Sequence, residues 1–449
     1  MANTINTSPL SGYMELLPSQ QRLFNQMLDT IRSVYEENGF IPMDQPVIDR
    51  SESLLANVGG DTTKELIRIA RDDDKELALR FDLTVPLARF VANNYNSLSF
   101  PFRRYAIGKV YRGERAQAGR FREFYQCDVD IVGNETLSLG YDADIILLMA
   151  RVFQKLNIGD FEIRINNRKI LNGLFACLNI ATGQRMEVLR VLDKKEKLSE
   201  INFKEELSKL KITDSQIEVL LQFGKCKSLE SWQDYVDSSD LLFDDGSYLA
   251  GVEEIKQIFN ILKQSALGSN TFIWDPSIAR GLDYYTGTVF ETRLLKAPEI
   301  GSICSGGRYD DLAQAYTSRS LPGVGTSIGL TRLFDQLLKK EIIVPSAQQS
   351  KSQVLIIPLT KEYAPALMLQ DALLAQSIAC EISFAESKLD KRMNYADKLG
   401  IPFVVIIGED EIANQKYTLR NMADGSEQKL STEAIIKTLL REISGSHGA

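Results

Sequence analysis

The stretch that decides the fold is Tyr111-Arg112-Gly113-Glu114-Arg115-Ala116-Gln117-Ala118-Gly119-Arg120-Phe121-Arg122-Glu123-Phe124. Strand-like alternation leads into it over 103–111 and out of it from Glu123 to Val132, so it reads as two strands joined by a charged loop. Between 103 and 122 stand seven basic residues (Arg103, Arg104, Lys109, Arg112, Arg115, Arg120, Arg122) and one acid, Glu114. Yet the whole chain carries a net charge of −8. A charge run of this kind can be a solvated face. It can also be a local anion site, because a patch acts at short range whatever the total charge.

The 449 residues are too many for one ordinary core and predict two or three domains. A content of 44% hydrophobic and 25% charged residues is that of a soluble globular protein. No apolar run is long enough to span a bilayer, so no membrane association is expected. The polar, uncharged start Met1-Ala2-Asn3-Thr4-Ile5-Asn6 does not read as a secretory signal, and a cytoplasmic location is expected. Five cysteines, Cys127, Cys177, Cys226, Cys304 and Cys380, are scattered with no CxxC pair. That spacing predicts reduced thiols and no structural zinc. The one histidine, His447, lies in the tail Ser446-His447-Gly448-Ala449. A histidine-based triad or metal site in the core is thereby excluded. Chemistry must run on Arg, carboxylates, Tyr and any metal a substrate brings.

Along the chain, helical periodicity over 19–38 has Ser19 as a possible cap and Gly39 as terminator. An extended segment with Pro42 and Pro46 follows over 40–49. Strands are expected at 77–84, 103–111, 123–132, 161–165 and 271–274, and a helix at 85–94 with Pro86 in its first turn. Residues 168–268, rich in Lys, Glu, Leu and Ser, read as a helical insertion. Pro345, Ser346, Gln348, Gln349, Ser350 and Ser352 give 339–353 a linker composition. Beyond it, strands at 354–358, 382–384 and 403–407 alternate with helices to about 376 and over 388–399. That is a small α/β domain with a largely parallel sheet.

Three more strings stand out. Arg280-Gly281-Leu282-Asp283-Tyr284-Tyr285-Thr286-Gly287 is followed by Gly306-Gly307-Arg308-Tyr309-Asp310. Gly323-Val324-Gly325-Thr326-Ser327-Ile328-Gly329-Leu330-Thr331-Arg332 has the spacing G-x-G-x-x-x-G, which is not the dinucleotide fingerprint. No GxxxxGK[ST] loop is present. Leu79-Arg80-Phe81-Asp82-Leu83-Thr84 precedes Gln126, Asp128 and Asp130, which share one strand face at period two.

Together these strings, from about Leu16 to Lys429, resemble histidyl-tRNA synthetases of class II. The helix at 19–38 with its Pro-containing strand is similar to motif 1, which in that family builds a homodimer interface. Tyr111 to Phe124 resembles motif 2, and Gly323 to Arg332 resembles motif 3. The fold implied is α/β: a class II synthetase antiparallel-sheet catalytic domain over 1–338, interrupted by the helical insertion at about 168–268. After the linker comes a C-terminal α/β anticodon-binding domain at 354–449. The activity implied is histidine–tRNA ligation, with ATP, histidine and tRNA(His) as substrates. Arg112 and Arg280 would be catalytic, beside the α-phosphate. Arg112, Glu114, Arg120, Phe124 and Arg332 would bind ATP, with Mg2+ arriving on the nucleotide and Glu114 placed to help hold it. Asp82, Thr84 and Gln126 would take the ammonium of histidine. Asp130, Tyr284, Tyr285 and Tyr309 would take its imidazole, and Gln117 would meet the tRNA acceptor end. Ala116 and Ser305 stand where the family often has Pro and Gly. Two rivals are a synthetase for another amino acid and a non-catalytic regulatory subunit of ATP phosphoribosyltransferase. The resemblance implies that the latter lacks the C-terminal domain.

Overall fold

On the Glu123–Val132 strand, Gln126, Asp128 and Asp130 alternate with Cys127, Val129 and Ile131, each 0% exposed. One face of any sheet built on it is therefore apolar and must be covered, while the other carries polar groups. The computed structural model shows the consequence. It describes all residues except 1–4, 57–64, 71–75, 115–118, 194, 196–197, 240–242, 269–270, 279–284 and 446–449. The chain forms two units, one of Met1–Glu15 and Met27–Ile343, the other of Leu16–Gln26 and Val344–Ala449.

In the first unit eight strands form one sheet. Their spatial order is Ile41–Pro42, Phe102–Tyr111, Glu123–Val132, Gly323–Gly329, Cys304–Tyr309, Thr288–Leu294, Phe161–Asn167 and Phe272–Trp274. Every neighbouring pair is antiparallel except the two at the edges, which are parallel. The register sets Asp130 opposite Arg104 on one side and Gly325 on the other. The apolar face is covered by the helix Gly140–Leu156, whose Ile145, Ile146, Met149 and Phe153 are buried. Tyr35, also buried, donates its hydroxyl proton to the Cys127 carbonyl at 3.1 Å. Between Phe161–Asn167 and Phe272–Trp274 the described chain is helical, with six helices from Arg168–Cys177 to Gly246–Lys263. Trp232, 0% exposed, anchors that segment through Phe223 at 4.9 Å and through its indole N–H to the Tyr248 hydroxyl at 2.8 Å.

In the second unit five strands lie in the order Cys380–Ile382, Val354–Pro358, Phe403–Ile407, Tyr417–Asn421 and Glu427–Leu430. Val354 and Ile356 pack with Leu369, Leu373 and Leu439 on one face. Leu355 and Ile357 pack with Ala396 and Ile401 on the other. Burial on both sides explains the uninterrupted apolar run of that strand.

Four local expectations need correction. The first helix is Pro18–Glu37, so Ser19 lies inside its first turn; Gly39, at φ 79°, does end it. The strand expected at 77–84 stops at Leu79, because Asp82 turns the chain into the helix Thr84–Asn94 by accepting from the Val85 N–H at 3.0 Å. The strand expected at 382–384 is Cys380–Ile382. The C-terminal sheet is mixed: its last two strands form an antiparallel hairpin, which the Asp424-Gly425 pair could have announced.

Candidate active site

The polar face of the large sheet floors a cavity of about 530 Å³, within the usual range for small-molecule sites. Strand alternation brings Phe124, Gln126, Asp128 and Asp130 to it, and the turn before Thr84–Asn94 brings Asp82 and Thr84. Every candidate residue that the structure describes lines this one cavity: Asp82, Thr84, Arg112, Glu114, Arg120, Phe124, Gln126, Asp130, Tyr285, Tyr309 and Arg332. Arg280, Tyr284 and Gln117 lie outside the described residues.

At one end the groups are acidic and buried. Asp130, 2% exposed, accepts from the Tyr309 hydroxyl at 2.9 Å and pairs with Arg104 at 2.7 Å. Arg104 is 0% exposed and also donates to the Leu83 carbonyl at 3.0 Å. Burial raises the pKa of Asp130, and Arg104 and the Tyr309 hydroxyl oppose the rise. Burial also lifts Asp82 to about 6, with the Val85 N–H and Arg112 working against it. Gln126 donates through Nε2 to the Ser327 hydroxyl at 2.7 Å. Two glycines allow the close approach. A Cβ on Gly325 would lie 2.0 Å from Asp130 Oδ1, and one on Gly307 would lie 2.9 Å from the Tyr285 ring. Arg308, from the same glycine-rich string, forms a buried ion pair with Asp142 and donates to the Ser138 carbonyl at 3.1 Å. That pairing ties the strand bearing Tyr309 to the covering helix.

At the other end the groups are cationic and more open. The Arg112 guanidinium lies 5.0 Å from the centre of the Phe124 ring, and its Nε donates to the Phe81 carbonyl at 3.2 Å. Arg120 is paired with Glu114 at 2.8 Å. Arg332 donates to the Ile300 carbonyl at 2.9 Å. A cavity with buried carboxylates at one end and guanidinium groups at the other suits a zwitterionic substrate next to a polyphosphate. Arg104 and Ser327 were given no site role from sequence; the hairpin register sets Arg104 opposite Asp130, and a distant strand brings Ser327 opposite Asp128. Among the described residues no group of three or more His, Cys, Asp or Glu could hold a metal ion. No described helix is long and apolar enough to cross a membrane.

An antiparallel sheet whose polar face carries such a cavity, joined in one chain to a mixed α/β unit, defines a class II aminoacyl-tRNA synthetase. Comparison with known proteins narrows the class. The family model described as histidyl-tRNA synthetase matches residues 12–333, and that of an anticodon binding domain matches 353–442. The chain belongs to the histidyl-tRNA synthetase family. It is 47% identical over 438 residues to a histidine–tRNA ligase of Clostridium tetani, covering 97% of this chain and 98% of that one. A crystal structure of histidyl-tRNA synthetase from Nostoc sp. PCC 7120 is similar at a TM-score of 0.87 and 38% identity, over 98% of this chain and 100% of that one. A Bacillus halodurans protein, described as an ATP phosphoribosyltransferase regulatory subunit/histidyl-tRNA synthetase, shares the fold at a TM-score of 0.73 but only 19% identity, over 90% of this chain and 99% of that one.

Proposed function

We propose that the cavity is where histidine is activated by ATP and then passed to tRNA(His), so that the chain is a histidine–tRNA ligase. The observation that carries this reading is the polarity of the cavity. Buried acceptors stand at the end where an amino acid's ammonium would lie, and guanidinium groups stand where phosphates would lie. In the first step a carboxylate oxygen of histidine bonds to the α-phosphorus of ATP, and the bond to pyrophosphate breaks. Charge builds on the phosphoryl oxygens, so fixed cations lower the barrier. Arg112 is assigned to bridge the carboxylate and α-phosphate, and Arg280 to share that charge. Arg120 and Arg332 are assigned to the outer phosphates, and Phe124 and Glu114 to the adenine end. In the second step a ribose hydroxyl of the terminal adenosine attacks the histidyl carbonyl and AMP leaves, with Gln117 assigned to the acceptor end.

For specificity we assign Asp82, Thr84 and Gln126 to the ammonium, and Asp130, Tyr284, Tyr285 and Tyr309 to the imidazole. A site that hydrogen-bonds both ends of its ligand rejects analogues strongly, because a wrong side chain leaves buried groups unpaired. Mg2+ fits as a cation delivered by the triphosphate, which usually needs one or two protein carboxylates. Glu114, beside Arg120 at the cavity mouth, is the residue placed to hold it. When bound it would neutralise the outer phosphates. Residues 353–442 are assigned to the anticodon, and we propose a homodimer acting in the cytoplasm. Retention of Arg112, Glu114, Arg120 and Arg332 around the cavity stands against the regulatory-subunit alternative.

The decisive measurement is amino-acid-dependent ATP–pyrophosphate exchange. Exchange is expected with histidine and not with other amino acids. Pure, folded protein that gives none with histidine would end this reading. A second expectation concerns Gly325→Ala. Its new methyl would push Asp130 off Tyr309 and Arg104, raising the histidine KM roughly 10- to 100-fold, the value of a charged hydrogen bond. The ATP KM should stay within twofold; if the two KM values rise together, Asp130 does not serve the amino acid.

A further inference from the structure

Asp128 stands between Gln126 and Asp130 on the cavity face of its strand. It is 1% exposed, yet its Oδ1 has no hydrogen-bond partner among the described residues. Its Oδ2 is 3.5 Å from the Thr84 hydroxyl, the outer limit of a hydrogen bond. Two more oxygens lining the cavity, Asp82 Oδ2 and Gln126 Oε1, are likewise buried and without a partner among the described residues. Bare buried acceptors are costly unless a ligand donates to them. A primary ammonium brings three N–H donors, one for each.

We infer that Asp128 is a second carboxylate of the ammonium subsite, accepting from the α-ammonium of the amino acid together with Asp82 and Gln126. The inference rests on the reading that the cavity binds histidine, and it adds a residue which that reading leaves unused. Charge supports it. The groups around Asp128 are Arg104, Asp130, Asp82, Thr84, Gln126 and Ser327. Arg104, the cation among them, spends its Nη2 on Asp130 and the Leu83 carbonyl, and its Nε and Nη1 make no hydrogen bond to Asp128 or to any other described residue. Burial and the neighbouring acids lift Asp128 to about 7, with Arg104 and Ser327 opposing. Three buried carboxyl groups, Asp82, Asp128 and Asp130, thus surround one buried cation, Arg104, and an ammonium would offset the excess. A carboxylate that merely anchored the fold would have its oxygens paired.

Asp128→Asn tests this, since it keeps size and removes charge. Exchange assays should show a histidine KM raised roughly 10- to 100-fold with the ATP KM unchanged. Two competitive inhibitors separate the ends of the ligand. Histidinol keeps the ammonium, and its inhibition constant should rise in parallel. Imidazolepropionate lacks the ammonium, and its constant should not rise. Stability gives a third readout. An acid whose folded pKa lies above its unfolded value of 3.8 destabilises the fold increasingly as pH climbs towards about 7, and carries its full cost at pH 8. The ligand-free variant should therefore melt no lower than the parent at pH 8. Unchanged histidinol inhibition overturns the inference. So does an equal weakening of both inhibitors with a lowered Tm, which marks a structural anchor. Asp128→Ser carries the same comparison if the Asn variant does not fold, and failure of both to fold also counts as an anchor. A parent enzyme without histidine-dependent exchange is a different failure, that of the underlying function, and shows before any variant is made.

Discussion

Arg112→Ala is expected to lower the kcat of histidine-dependent pyrophosphate exchange by about 10²–10³, the usual loss when one fixed donor to developing charge is removed. The geometry favours a loss in rate over a loss in fold. Arg112 is half-buried at the cavity edge, held through one N–H to the Phe81 carbonyl and by the face of Phe124. Its other guanidinium nitrogens have no hydrogen bond to the described residues, which suits the phosphate role proposed for it. Removing it should leave the melting temperature within a few degrees of the parent. Arg112→Lys should recover only part of the rate, because an ammonium cannot bridge two oxyanions as a planar fork can. Arg120 offers a contrast. It is 62% exposed and already paired with Glu114, so solvent screens it and Arg120→Ala should cost far less in kcat. The assignment of Arg112 fails if its alanine variant raises only the KM for ATP, or if Lys restores full activity.

The arginines also show how much was legible beforehand. Read as a string, 103–122 is one basic run. In three dimensions it dissolves: Arg103 pairs with Asp144 at 2.7 Å, Arg104 with Asp130 at 2.7 Å and Lys109 with Glu123 at 2.6 Å. Alternation along a strand puts neighbours on opposite faces, so Arg103 and Arg104 cannot share a role. Of the described basic residues in that run, Arg112 and Arg120 are the ones that line the cavity. The strand face carrying Gln126, Asp128 and Asp130 was readable because period two is local. What faces it was not, because Ser327 and Gly325 arrive from a strand almost 200 residues further along the sequence, and Arg104 is set opposite Asp130 by the register of the hairpin. The same limit explains Asp82. Its sequence context reads as strand, and only its hydrogen bond to the Val85 N–H shows it turning the chain into a helix.

The pair Arg104–Asp130 carries the second large effect. Both side chains are essentially inaccessible, and the arginine is the cation buried among Asp82, Asp128 and Asp130. Removing one partner from a buried pair costs about 3–5 kcal/mol, since the survivor stays desolvated without compensation. Arg104→Met, which roughly keeps the volume, should lower the stability of the catalytic unit by that amount at pH 8. The loss should shrink as pH falls towards 5. With the cation gone, burial and the neighbouring acids drive all three carboxyl groups to hold their protons at higher pH, and a protonated carboxyl no longer needs Arg104. Adding Asp130→Asn should recover much of the loss at pH 8, because it removes the stranded charge; a double-mutant cycle measures that coupling. Denaturant unfolding at the two pH values decides the matter. An equal loss at pH 5 and pH 8, or strictly additive effects of the two substitutions, would mean that Arg104 stabilises the fold by packing and its carbonyl contact. Electrostatic control of the acidic end of the cavity would then have to come from elsewhere.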